Sequence, residues 1–93
     1  YKLTSPSEKF WLKLEGTLGL KYCVDGNVNK GLSIIKREML ADPSKSLLVN
    51  ELGLCHALEK NWHRALYFLN LSLKKDNHFQ IHNNLAVVYV ELN

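Results

Sequence analysis

The sequence predicts an all-α protein, a stack of about five helices in antiparallel pairs that forms one domain over residues 1–93. Three observations predict it. The chain repeats itself: Leu18-Gly19-Leu20-Lys21-Tyr22 returns 34 residues later as Leu52-Gly53-Leu54-Cys55-His56, and again 33 residues on as Leu85-Ala86-Val87-Val88-Tyr89. Apolar residues recur at spacings of three and four, the period of a helix with one buried face. Short polar segments punctuate these runs at the same places in each copy, and a shared offset of this size marks a repeat architecture.

The elements follow in order. Helices are expected near residues 7–24, 28–41, 45–59, 62–75 and 79–92. Asp25-Gly26-Asn27 separates the first two, and Glu59-Lys60-Asn61 stands at the matching place between the third and fourth. Ala41-Asp42-Pro43-Ser44 stops the second helix, because proline cannot continue one. Asp76-Asn77 serves the same junction one unit later. Connections this short suit neighbouring antiparallel helices. The units span approximately 12–45, 46–78 and 79–93, and the third is incomplete.

Gly19, Gly53 and Ala86 fall in the middle of helices. Glycine there costs roughly 1 kcal/mol against alanine, so the missing side chain points to close approach of the paired helix. Gly31 and Ala65 are the small counterparts on the second helix of each pair, with the bulky Ile35 and Leu69 one turn further on.

These residues match the tetratricopeptide repeat. The first unit carries Leu18, Gly19, Tyr22, Gly31, Ile35 and Pro43, and the second carries Leu52, Gly53, Ala65, Leu69 and Ser72. The chain resembles that family over about residues 12–93, with departures at Glu38, His56 and Asn77, where the family prefers a small residue, tyrosine and proline. The resemblance implies a right-handed α-solenoid whose work is to hold another protein. In style the leucine-rich second unit is similar to repeats of bacterial pilus-assembly and secretion proteins. A secretion chaperone for a hydrophobic subunit and a self-associating structural repeat are the alternative readings. The third unit stops at Asn93, where its turn is due; either helix 79–92 is a cap or further repeats follow, and the need of repeat arrays for capped ends favours continuation.

In this repeat type the first helix of each pair lines the concave face. Its inward stripe falls on Lys13, Gly16, Leu20 and Val24, on Leu47, Asn50, Leu54 and Leu58, and on Gln80, Asn83, Val87 and Glu91. The expected partner-binding residues are therefore Leu20, Val24, Leu54, Leu58 and Val87 for apolar contact, with Asn50 and Asn83 as amides for a peptide backbone. The partner implied is an apolar peptide or helix of another protein. The family's grip on a C-terminal carboxylate does not carry over: Gly16, Leu20, Glu51, Gln80 and Asn84 occupy those places, and the cations are missing. On the outer side, Tyr67 and Leu71 form a small apolar pair that is a candidate for self-association.

Other classes find little support. The net charge of +3 comes with only two basic pairs, Lys36-Arg37 and Lys74-Lys75, which argues against nucleic acid. No HExxH, GxSxG or phosphate-loop motif is present, so no enzyme is expected, and no cofactor. His78 and His82 are four apart, but two histidines fall short of a zinc site. No apolar run of about 18 residues or more would insert in a membrane. The cytoplasm and a bacterial periplasm fit equally. Cys23 and Cys55 hold non-equivalent places in the repeat, and two free thiols are expected, or at most an intermolecular link through Cys23.

Overall fold

The computed structural model describes residues 17–92. Among them run five helices and no strand: α1 (Leu18–Val24), α2 (Val28–Ala41), α3 (Ser46–Leu58), α4 (Trp62–Lys75) and α5 (Phe79–Leu92). The portion of the expected first helix before Thr17, with Lys13 and Gly16, lies outside the described residues.

The repeat legible in the sequence is also a repeat of backbone geometry. Among the described residues, Gly26 and Lys60, 34 apart, are the two with left-handed backbone, at φ 95° and 62°. The amide that follows each one closes the preceding helix: Asn27 N–H donates to the Tyr22 carbonyl and Asn61 N–H to the His56 carbonyl, both at 2.9 Å. This six-to-one bond is the Schellman way of ending a helix, and it needs the left-handed residue. The asparagine carbonyl then accepts the first bond of the next helix, from Gly31 N–H in one unit and Ala65 N–H in the other, both at 3.0 Å. One turn chemistry thus folds α2 back on α1 and α4 back on α3.

Antiparallel pairing follows from the contacts. Ser72, near the end of α4, donates its hydroxyl to the carbonyl of Ser46 at the start of α3 (3.0 Å). The small residues do the work expected of them. A methyl placed on Gly19 would stand 2.9 Å from the Gly31 carbonyl oxygen and against Ile35; one placed on Gly53 would stand 2.9 Å from Leu69 Cγ and 3.2 Å from the Ala65 carbonyl. In both pairs, a glycine on the first helix receives a small residue and a bulky aliphatic four later on the second.

The core runs along α3. Every residue of this helix from Leu48 to Ala57 is buried, whereas α2 and α4 each bury a single stripe, Val28, Gly31 and Ile35 in one and Ala65, Leu69 and Ser72 in the other. α3 packs on α4 most extensively and also meets α1, α2 and α5. Its leucines join Leu20, Ile35, Leu69, Ile81 and Val88 in one continuous cluster.

The free thiols expected for Cys23 and Cys55 are not found. The two form a disulfide with Cα atoms 5.5 Å apart, and both are buried. The reasoning from non-equivalent repeat positions fails for a physical reason. α1 packs against α3, and two helices at matching places in a repeat meet through opposite faces, so the residues that touch hold non-equivalent positions. Cys23 corresponds to Ala57 and Cys55 to Lys21 in the 34-residue register, and the α1–α3 contact brings the two cysteines together.

Candidate interaction surface

Of the seven partner-binding residues expected from the sequence, Leu20, Asn50 and Leu54 are buried, with 3%, 3% and 0% of their surface exposed. They are structural, not accessible to a partner: Leu20 and Leu54 belong to the core cluster, and Asn50 Oδ1 accepts a hydrogen bond from Asn84 Nδ2 at 3.1 Å. Val24, Leu58 and Val87 pack against that cluster while keeping part of their surface open. Asn83 is exposed. The accessible remainder of the expected site is thus concentrated on α5 and at the ends of α1 and α3. Of the outer pair, Tyr67 is exposed and lies edge-on to Phe68 (5.1 Å between centroids), whereas Leu71 is half-buried.

The structure exposes a larger apolar surface that the sequence reading passed over. α5 buries Ile81, Asn84, Leu85 and Val88 against the neighbouring helices. In the 33-residue register these match Leu48, Glu51, Leu52 and Cys55, the α3 residues on the side of Thr17 and Cys23. The other side of α3, Val49, Gly53, His56 and Ala57, is buried as well; Gly53 meets Ala65 and Leu69 there, and His56 stacks on the Phe68 ring with planes 7° apart. Its α5 counterparts are His82, Ala86, Tyr89 and Val90, and all four are exposed, Tyr89 by 49% and Val90 by 70%. Phe79 extends the stripe by one turn, also exposed.

The composition of α5 sharpens this. Glu91 is its one Asp, Glu, Lys or Arg, as Glu51 is in α3, which is buried from Leu48 to Ala57. The two-faced helices α2 and α4 carry four and three such residues. A helix that keeps one side in water ordinarily shows polar and charged residues there. α5 has the make-up of α3 with half of its surface uncovered. A signal for this was present in the sequence, in the scarcity of charge over residues 79–92.

Polar groups are also buried among the described residues, Glu51 and His56 with Asn50, Ser72 and Asn84. The Glu51 carboxylate accepts hydrogen bonds from Thr17 Oγ1 (2.6 Å) and Thr17 N–H (3.2 Å), anchoring the start of α1. Burial pushes its pKa above the usual carboxylate range; the two bonds from Thr17 oppose this, and the charge of Glu38 adds to it. Glu51 lines a cleft of about 370 Å³ with Thr17, Lys45, Ser46, Leu47 and Asp76. Glu38 buries one carboxylate oxygen without a hydrogen-bond partner. His56 likewise has a buried Nδ1 without one, and burial, then the charge of Arg64, depress its pKa. At the head of α5, the His78 ring accepts the Gln80 N–H (3.2 Å), and His82 pairs with the Asn77 side chain (2.6 Å), so the two histidines engage different partners. Among the described residues no group of three or more His, Cys, Asp and Glu is placed to hold a metal ion, and no helix is long and apolar enough to cross a membrane.

Comparison with protein-family models, with curated proteins and with solved structures finds no match to this chain.

Proposed function

We propose that the chain is a tetratricopeptide-type repeat module, a right-handed stack of helix pairs, and that it serves as a non-catalytic scaffold holding an apolar helix of a partner protein. Support for the repeat type comes from the 34-residue recurrence of turn geometry at Gly26 and Lys60 and from the small-against-small packing of Gly19 with Gly31 and Gly53 with Ala65. The observation that carries the function is the uncovered face of α5, with Phe79, Ala86, Tyr89 and Val90 in water on a helix nearly devoid of charge. Contiguous apolar surface of this kind marks interaction sites. Tyrosine and phenylalanine there supply the aromatic anchors that carry binding energy at interfaces. Asn83, at the border of the stripe, adds an amide for polar contact at the rim.

The test is a titration of the isotope-labelled protein with a panel of blocked amphipathic helical peptides, followed by the backbone amide resonances. The proposal expects part of the panel to shift Phe79, Asn83, Ala86, Tyr89 and Val90 and to leave the exposed side of α2, at Lys36 and Leu40, unmoved. If no member of the panel shifts α5, the proposal is wrong.

A further inference from the structure

We infer that oxidation of Cys23 and Cys55 is the step that completes the stack: the first helix pair is held firmly on the second once the bond has formed, and the reduced chain releases α1 and α2 while α3, α4 and α5 stay together. The inference is independent of the interaction reading, because the bond lies on the α1 side of α3 and the uncovered face lies on α5.

α1 has seven residues, too few to persist as a helix without its neighbours, and it packs on α2 and α3. Among the described residues, the side-chain hydrogen bonds from this pair to α3 are those of Thr17 to Glu51, at the start of α1. Cys23 makes its link at the other end, close to the chain reversal at Gly26. The repeat shows that stacking does not itself require sulfur there. At the next junction the matching places hold Ala57 and Val88, 34 and 33 residues on, and both are buried in the core cluster. The first pair is also shaped around its sulfur. A methyl on Gly31 would meet Cys23 Sγ, whereas the second pair has Ala57 in the place of Cys23 and carries that methyl, as Ala65, in the place of Gly31.

The chemistry is exchange with a low-molecular-weight disulfide such as oxidised glutathione. One cysteine thiolate attacks it, forming a mixed disulfide and expelling one thiolate. The other cysteine thiolate then attacks the protein sulfur of the mixed disulfide and expels the second. Two electrons, and two protons through solvent, pass from the cysteines to the co-reactant, which leaves as two thiols. In the folded chain the cysteines are 2% and 0% exposed, so a thiol reaches the bond only when α1 lifts from α3. The bond is therefore a lock and not a labile link. A chain completed by such a lock belongs in an oxidising compartment, outside a thiol-rich cytosol.

Hydrogen exchange tests this on the oxidised protein and on the same chain unfolded, reduced with a phosphine and refolded in the reductant. Amides of residues 18–41 should exchange about a hundredfold faster in the reduced protein, the order expected from the chain entropy that the closed loop removes. Those of residues 62–92 should keep their protection, as a local opening requires. Thiol alkylation read by mass spectrometry should show reduced glutathione opening the bond about tenfold or more slower in folded than in urea-unfolded protein. Unchanged exchange over residues 18–41 in the reduced protein overturns the inference. So does loss of protection in all five helices alike, which would make the bond a support of the whole fold and not of one junction. Equal rates of reduction in folded and unfolded protein overturn the lock.

Discussion

Cys23 in α1 and Cys55 in α3 lie with their Cα atoms 5.5 Å apart and are covalently joined, which ties the first helix pair to the second. One turn before Cys55 on α3, Glu51 holds Thr17 at the other end of α1. A helix of seven residues is thereby fixed to its neighbour at both ends. Closing a loop over a sequence separation of 32 removes entropy from the unfolded chain equivalent to roughly 3–4 kcal/mol. The double variant Cys23→Ala, Cys55→Ala should lose stability of that order in urea unfolding. Mass spectrometry of the unreduced protein should find residues 23 and 55 in one linked fragment; two free thiols in the folded, air-oxidised protein would contradict this.

Gly53 and Ala86 occupy equivalent places with opposite surroundings, and substitution should separate them. Gly53→Ala puts a methyl 2.9 Å from Leu69 Cγ. Overpacking of this kind costs about 1–3 kcal/mol, against roughly 1 kcal/mol gained in helix propensity, so a net loss is expected. Ala86→Leu, on an open face, should change stability by less than about 0.5 kcal/mol. Thermal unfolding of both variants checks the contrast, and equal effects would contradict the structure.

Lys60 holds a left-handed conformation at φ 62°, where its repeat counterpart is Gly26. Left-handed backbone costs an L-residue roughly 1–2 kcal/mol, a penalty that glycine escapes. Lys60→Gly should therefore stabilise the protein, by up to about 1 kcal/mol after the extra flexibility of unfolded glycine is discounted. Denaturant midpoints read the effect, and a destabilised variant would refute it.

Burial raises the Glu51 pKa from an ordinary value of 4.5. The fold then holds this proton more tightly than the unfolded chain does, so stability falls as pH rises from 4.5 through the higher folded value. Glu51→Gln removes that loss and keeps an acceptor for the Thr17 hydroxyl. The variant should be at least as stable as the parent at pH 7 and show a flatter profile from pH 4.5 upward. His56 contributes with the opposite sign: its pKa is depressed from 6.5, so its share of stability is present above 6.5 and is lost as pH falls through 6.5 toward the folded value. His56→Tyr should remove that acid-side loss. Urea unfolding across pH 4–8 tests both, and an unchanged slope in either variant would contradict the assignment.

Helix positions were legible because the 34-residue register and the three-and-four spacing report local geometry directly. The turn at Asp25-Gly26-Asn27 and its copy at Glu59-Lys60-Asn61 fell where the sequence placed them, and Gly19 and Gly53 proved to be close-approach points. What the register does not report is which face of one unit meets which face of the next. That is why the Cys23–Cys55 link escaped, and why Leu54, placed on an open groove by its position, is wholly buried. The exposed face of α5 is written in composition, in the scarcity of charge over residues 79–92, and lies beside the inward stripe of Gln80, Asn83, Val87 and Glu91 that the repeat register picks out.

Hydrogen exchange along α5 tests the central claim most directly. Amides of the intact protein are followed by mass spectrometry, free and saturated with a blocked amphipathic helical peptide of the panel that shifts α5. The account predicts added protection over residues 82–90 on binding, with α2 unchanged, and loss of that protection in Ala86→Lys. Protection confined to α3, or α5 exchange indifferent to the peptide, would contradict it.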